Sequence, residues 1–162
     1  MLADELAALL PRMRRFARSL TFHREDADDL VQLAAERALG RSEQFAEGTR
    51  LDSWLFRIIR NAWIDEVRSR GRRDTLFAPE DEGEHAGHDA IGAHQQRMAV
   101  QKAMSLLSEE HRTVVALVLV DGLPYKDAAE VLDIPIGTLT SRLARARDAL
   151  QTLLQDEART AP

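Results

Sequence analysis

The feature that most constrains the fold is a helix–turn–helix pattern between Leu123 and Leu150. Pro124 suits the first turn of a helix, because its missing N–H would have no intrahelical partner there. Pro135 ends that helix, since a residue before proline is pushed out of the α region. From Ile136 onward, apolar residues fall at the spacing of one helix face, which predicts a second helix. These apolar residues are Leu139, Leu143, Ala146 and Leu150.

The opposite face of this second predicted helix has the chemistry of a DNA-reading helix. Small residues allow close entry into a major groove, and hydroxyl and guanidinium groups can contact phosphates and base edges. The face carries Gly137, Ser141, Ala144, Arg145 and Asp148, flanked by Thr138, Thr140, Arg142 and Arg147. An ordinary amphipathic helix pair is the alternative interpretation, because helical hairpins are common.

The charge distribution favours DNA binding within a larger complex. The net charge of −5 is unexpected for a free nucleic-acid binder. However, 14 of the 22 basic residues lie in residues 1–73, and all 14 are arginine. Residues 74–93 contain six acidic residues and no Lys or Arg. The net negative charge would suppress unselective DNA binding, while the basic stripes would still allow local contacts with DNA.

The same segment divides the chain into three parts. Residues 1–73 and 94–162 have helical periodicity, and residues 74–93 read as a flexible acidic linker. No strand pattern is evident, so we predict an all-α fold with two small helical domains. The chain has no cysteine, which excludes disulfides and thiol catalysis, and no acid/base or phosphate-loop motif suggests an enzyme. Without a membrane-spanning run or a secretory signal, we expect a cytoplasmic protein without membrane insertion.

A long helix predicted from about Leu51 to Arg70 carries a second constellation. Its apolar stripe comprises Leu51, Leu55, Ile58 and Ala62, and Arg57, Arg60 and Arg68 line another side. Trp54, Phe56 and Trp63 add aromatic bulk. Arginine beside aromatic rings suits single-stranded or melted DNA, through phosphate contacts and base stacking. Alternatively, the tryptophans belong to the core and the arginines form a solvated face.

Three stretches together resemble the extracytoplasmic-function (ECF) sigma factors, a class of promoter-recognition subunits of bacterial RNA polymerase. The stretch Asp26–Gln32 resembles the family's acidic-Leu-Val-Gln signature. Phe45–Arg73 resembles its promoter-melting helix, and Leu107–Arg147 resembles its carboxy-terminal helix–turn–helix. The resemblance covers nearly the whole chain, in order, with a linker where the family has one.

The resemblance implies partners and a role for each surface. The first domain would dock on core RNA polymerase and open the −10 element, and the second would read the −35 element of promoter DNA. An anti-sigma factor would hold both domains. The implied docking residues are Asp28, Asp29, Leu30, Gln32 and Arg37. The implied −10 contacts are Phe45, Arg57, Arg60, Asn61, Arg68, Arg70, Arg72 and Arg73. The implied −35 contacts are Thr138, Thr140, Ser141, Arg142, Ala144 and Arg145.

Four positions depart from the family's usual pattern. Leu33-Ala34-Ala35 replaces an acidic residue and an aromatic that often follow Gln32, which could change the docking surface. Pro124 replaces a frequent serine cap. Thr140 replaces a frequent Lys or Arg, so we expect one phosphate contact fewer at the −35 element.

Two other functions and one metal site have to be considered. A sigma-like decoy would bind an anti-sigma protein without DNA, but it should have lost the basic faces that this chain keeps. A stand-alone helix–turn–helix repressor would need a ligand or dimerisation domain, which residues 3–73 do not resemble. His85, His88 and His94 lie in or beside the linker. Without cysteine or an ordered scaffold, we expect neither a metal nor a cofactor there.

Overall fold

The computed structural model of the chain describes residues 1–45, 48–73 and 91–160. Over these ranges the structure is helical and contains no strand, which confirms the all-α prediction. The helices are α1 (Leu2–Thr21), α2 (Arg24–Gly40), α3 (Leu51–Arg73), α4 (Ile91–Leu106), α5 (Glu109–Val115), α6 (Tyr125–Leu132) and α7 (Ile136–Thr160). None of the helices described is both long and apolar enough to cross a membrane.

The first domain is a bundle of α1, α2 and α3. Apolar residues of α1 recur at helical spacing and are fully buried, and Phe16 of α1 packs on Phe56 of α3 with ring centroids 4.9 Å apart. Small residues of α2, including Ala34 and Ala38, are buried against them. A short 3₁₀ turn, Ser42–Gln44, follows α2.

The second domain contains the predicted helix–turn–helix. Helix α6 begins after Pro124 and ends at Asp133, whose φ of 54° is the left-handed conformation of a helix cap. Helix α7 then begins at Ile136, and three residues of its predicted apolar stripe, Leu139, Leu143 and Ala146, are buried, while Leu150 is half-buried. Ser108 caps α5, because its hydroxyl accepts a hydrogen bond from the His111 N–H at 3.2 Å.

The predicted linker, residues 74–93, overlaps the start of the second domain. Residues 74–90 lie outside the described residues, with His85 and His88 among them. The last three residues assigned to the linker, 91–93, form the first turn of α4 instead. His94 is a half-buried residue of that helix.

Between α5 and α6 the chain forms a π-helical segment, Ala116–Val120, with buried residues at its start. The Asp121 N–H donates to the Ala116 carbonyl at 3.0 Å, one residue further back than in an α-helix. Asp121 follows the segment, and its side chain is fully buried against Arg15 of α1.

The two domains share one hydrophobic core. A single cluster of buried side chains runs from Leu20 and Leu55 of the first domain to Leu117 and Ala128 of the second. Helix α1 packs on α5 and on the π-helical segment, while α3 packs on α6. The sequence predicts two domains and says nothing about this packing between them.

Arg112 of α5 is the polar centre of this interdomain contact. Its guanidinium donates to the carbonyl oxygens of Met104, Ser105 and Leu107 at 2.9–3.0 Å, where α4 ends. It also donates to the Leu20 carbonyl near the end of α1 at 3.3 Å. Both helix ends carry partial negative charge, which a buried cation satisfies. The guanidinium also lies over the Phe22 ring, 5.1 Å from its centroid.

We predict that Arg112→Met destabilises the whole chain by about 3 kcal/mol, because several buried carbonyls lose their donors at once. Arg112→Lys should recover part of the loss, since an ammonium keeps the charge but lacks the planar fork. Urea unfolding followed by circular dichroism measures both changes. Arg159→Met, at an exposed position in α7, is the matched control and should change stability little. An Arg112→Met chain as stable as wild type would contradict the assignment.

We expect Asp121, unlike Arg112, to lower the stability of the folded chain at neutral pH. Burial raises the pKa of its carboxyl above the ordinary 3.8, only partly offset by Arg15, and its Oδ2 has no hydrogen-bond partner. The folded state therefore binds this proton more tightly than the unfolded state, so stability falls as pH rises from 3.8 through the raised value.

We therefore predict that Asp121→Asn stabilises the chain at neutral pH by about 1 kcal/mol, because it removes a buried and incompletely paired charge. Thermal unfolding at several pH values is the measurement. The variant's advantage should shrink toward acidic pH, where wild-type Asp121 is itself neutral. A variant less stable than wild type at neutral pH would show that the Arg15–Asp121 ion pair outweighs the burial cost.

Candidate DNA and polymerase interfaces

Helix α3 separates a buried face from a face that reaches solvent. Leu55, Phe56, Ile59, Ala62 and Trp63 are buried. At 100° per residue, Arg57, Asn61 and Arg68 fall within about 40° of one another on the other side. All three are exposed. The structure thus places an amide between two guanidinium groups along the helix. The amide can pair with a base edge, and the two guanidinium groups can contact phosphates.

Asn61 and Arg60 form a local pair on this helix. The Arg60 guanidinium donates to Asn61 Oδ1 at 3.1 Å, which orients the exposed amide. Arg60 itself is half-buried. Burial lowers its pKa, and Arg142, Arg57 and Arg68 lower it further, against Asp133. The site therefore carries positive charge that its neighbours do not neutralise.

The aromatic residues divide differently from the sequence interpretation that groups them as stacking platforms. Phe56 is fully buried, and the indole N–H of buried Trp63 donates to Glu109 Oε2 at 3.1 Å. Both rings belong to the core, and for Trp63 this agrees with the alternative interpretation that the tryptophans are core residues. Phe45 and Trp54 are half-buried and lie against each other, 5.2 Å between ring centroids. Of these aromatic rings, only this pair lies near enough to the surface to meet a base.

Arg70 differs from the other arginines predicted to contact DNA. It donates to Asp26 at 2.8 Å and to Glu66 at 3.0 Å, and it lies over the Trp63 ring. Its hydrogen bond to Asp26 raises its pKa, although partial burial acts in the opposite direction. Arg70 therefore holds α2 and α3 together in this arrangement. Arg72 and Arg73 complete α3, and their side chains lie outside the described residues.

Helix α7 exposes the face that the sequence predicts to read DNA. Thr138, Ser141 and Arg145 fall on one side of the helix and are exposed, with Ala144 beside them. The Thr140 hydroxyl donates to the Ile136 carbonyl at 2.9 Å, so its hydrogen is used within the helix. Arg142 points elsewhere: it is half-buried and lies 3.8 Å from Glu110 of α5.

The residues predicted to form the docking surface all lie on α2, and one of them is buried. Asp28, Asp29 and Gln32 are exposed and Arg37 is half-buried, whereas Leu30 is 6% exposed and belongs to the core. Leu33, at a position that departs from the family pattern, exposes 37% of its surface.

A groove of about 500 Å³ runs between α1 and α2 beside these residues. Arg14 and Arg18 line its α1 side, opposite Asp28 and Gln32. These two arginines are not among the residues predicted from the sequence, although their i, i+4 spacing places them on one helix face.

Arg50 and Asp52 tie this domain to the helix–turn–helix. Arg50 donates to Asp52 Oδ2 at 2.7 Å and to Asp127 of α6 at 2.8 Å. Burial raises the pKa of Asp52, but hydrogen bonds from Arg50 and Arg12 outweigh it and the net pKa is lowered. A carboxylate at the start of α3 therefore fixes an arginine that bridges the two domains.

Comparisons with known proteins agree with this division. The family model for Sigma-70 region 2 matches residues 6–73, and that for Sigma-70 region 4 matches residues 97–150. The ECF RNA polymerase sigma factor EcfG of Rhodopseudomonas palustris is 36% identical over 157 residues, covering 94% of this chain and 84% of EcfG. SigL of Mycobacterium tuberculosis is 35% identical over 158 residues, covering 96% of this chain and 88% of SigL.

A solved structure extends the likeness to three dimensions. The sigma factor RpoE from Bartonella quintana, in complex with the anti-sigma factor NepR, matches with a TM-score of 0.83 at 34% identity. The match covers 94% of this chain and 96% of RpoE, so it includes both domains. CnrH in complex with the cytosolic domain of CnrY shares the fold, with a TM-score of 0.71 at 24% identity over 96% of this chain and 88% of CnrH. This chain belongs to the ECF sigma factor family.

Proposed function

We propose that the chain binds core RNA polymerase in the cytoplasm and directs transcription initiation from promoters with −35 and −10 elements. Sigma factors are regulatory proteins and not enzymes, so the function depends on binding faces. The observation that carries the proposal is that each domain exposes one such face. Arg57, Asn61 and Arg68 form the first, and Thr138, Ser141 and Arg145 form the second.

The chemistry of each face suits a different form of DNA. On α7, small residues and hydroxyls around Arg145 allow the helix to lie in a major groove, as a recognition helix does. On α3, the Asn61 amide can pair with the edge of an unstacked base while Arg57 and Arg68 contact phosphates. Exposed Asp28, Asp29 and Gln32 of α2 are left for the polymerase.

The compact arrangement cannot serve both promoter elements at once. The −35 and −10 elements are about 25 base pairs apart, or about 85 Å at about 3.4 Å per base pair. A compact chain of 162 residues has a radius of gyration of about 15 Å. The two domains therefore have to separate before both elements are bound.

We infer that an anti-sigma factor holds the compact arrangement. RpoE matches this chain across both domains in a structure that contains NepR, which supports a compact form bound by a regulator. A ligand that binds one conformation better than another shifts the population toward it. An anti-sigma factor that binds both domains would thereby withhold the chain from promoters.

We predict that the purified chain, added to bacterial core RNA polymerase on a fragmented genomic library, gives transcripts whose start sites share a −35/−10 pair. Asn61→Ala combined with Arg145→Ala should reduce those transcripts at least tenfold, because one base-reading contact is lost in each element. Sequencing of transcript starts measures both outcomes. Arg159→Ala, about 21 Å along α7 from Arg145, is the control.

The transcription assay also separates sigma factor from decoy. A folded wild-type chain that gives no specific starts with core polymerase would refute the sigma function. Binding to an anti-sigma protein without any transcription would then favour the decoy.

We also predict that Arg145→Ala weakens binding to a −35 duplex by about 1–3 kcal/mol if Arg145 reads a base edge. If it contacts only a phosphate, the loss should be equal on all sequences, and the slope of log affinity against log salt should fall by about 1. Fluorescence anisotropy titrations at several salt concentrations distinguish these cases. An unchanged affinity at low salt would remove Arg145 from the interface.

A further inference from the structure

The contact between the domains brings arginines of the two DNA-facing helices together. Trp63 of α3 bonds to Glu109 of α5, and the next residue, Glu110, lies 3.8 Å from Arg142 of α7. Arg60 precedes Trp63 by three residues, which places the two side chains on neighbouring parts of one helix face. Arg60 and Arg142 therefore lie on the same side of the contact.

Arg57 and Arg68 extend this group along α3. Both lower the pKa of Arg60, as Arg142 does, after the larger effect of burial. We call Arg57, Arg60, Arg68 and Arg142 the junction arginines. Three of them come from α3, the helix proposed for the −10 element, and one from α7, the helix proposed for the −35 element.

The junction arginines are poorly neutralised. Across the described part of the chain, Arg57 and Arg68 form no ion pair, and the hydrogen bond of Arg60 goes to the neutral Asn61 amide. The pair of Arg142 with Glu110 is long, and the Glu110 side chain is 71% exposed. Asp133 raises the pKa of Arg60 and so acts against the three neighbouring arginines, which lower it. Closure brings Arg142 of α7 toward the three arginines of α3, so like charges oppose it, and an anion bound among them would reduce that cost.

We propose that the junction arginines bind an acidic segment of a regulatory protein, and that this binding stabilises the compact form. The proposal rests on the proposed function and adds the surface and chemistry of the regulator's contact. The four side chains form one surface only while α3 packs against the second domain. That form is too short to bind both promoter elements, so a ligand that favours it is not a promoter engaged at both elements; the occupant that we propose is an acidic protein segment.

Binding at this surface would couple two effects. The acidic segment would stabilise the compact arrangement, since it binds the surface that closure assembles. It would also occupy Arg57 and Arg68, which the open form needs for the −10 element. The acidic segment would then compete with DNA for Arg57 and Arg68 through its negative charge alone, without resembling any base sequence.

Closure can be measured directly because the chain contains no cysteine. Ala8→Cys and Gln151→Cys place a fluorophore pair at exposed positions, one on each domain. The probe is a 20-residue polyglutamate, titrated at low and at physiological salt. We expect single-molecule energy transfer to show a rising compact fraction, with Arg60→Gln plus Arg142→Gln raising the half-saturating concentration at least tenfold.

A matched control separates this surface from net charge. Arg41→Gln plus Arg159→Gln removes the same number of charges from exposed positions, one in each domain, and should respond as wild type does. The inference is overturned if polyglutamate leaves the compact fraction of the wild-type chain unchanged. It is equally overturned if the two double variants respond alike.

Two further arms test other occupants of the surface. A 20-base-pair duplex that raises the compact fraction where polyglutamate does not would assign the surface to nucleic acid. The chain's own six acidic residues between Asp74 and Asp89 are the other candidate. If polyglutamate closes the chain only after these six are changed to amides, they are the occupant and the proposal fails. A chain that initiates transcription yet ignores polyglutamate overturns this inference alone.

Discussion

The buried guanidinium of Arg112 is the interaction on which the relative placement of the domains depends. It satisfies carbonyls at the ends of α4 and α1, which belong to different domains. Only arginine offers five donors in a planar fork, so one side chain can bond to both helix ends. With α1 and α5 fixed to each other, the apolar faces of α3 and α6 close into the same core.

Helix identity and exposed faces follow from local spacing, which explains what could be predicted. The turn at Asp133 and the buried stripe of Leu139 and Leu143 depend on residues close in sequence. The candidate contact residues came from a family resemblance, and the structure leaves Asn61, Ser141 and Arg145 exposed as that role requires.

The interdomain contacts could not be predicted, because periodicity shows that a face is apolar but not what covers it. The Arg112–Leu20 bond joins residues 92 positions apart. The docking role of Leu30 is implied by the family resemblance and not by periodicity, and the structure buries this side chain in the core. Arg70 and Arg57 have the same side chain on one helix. The i, i+4 spacing of α3 indicates the pair of Arg70 with Glu66, but it does not show the bond of Arg70 to Asp26 of α2.

The π-helical segment has a consequence for how such a chain tolerates changes in length. Its five-residue hydrogen-bond step accommodates one residue more than an α-helical turn does, as an insertion would. Deleting one residue there would restore α-helical phase and turn the later side chains of this helix by about 100° about its axis. Asp121, at its end, would then face away from Arg15, and the loop to α6 would leave the helix in a different direction. In this segment the number of residues, more than their identity, sets which side chain meets α1.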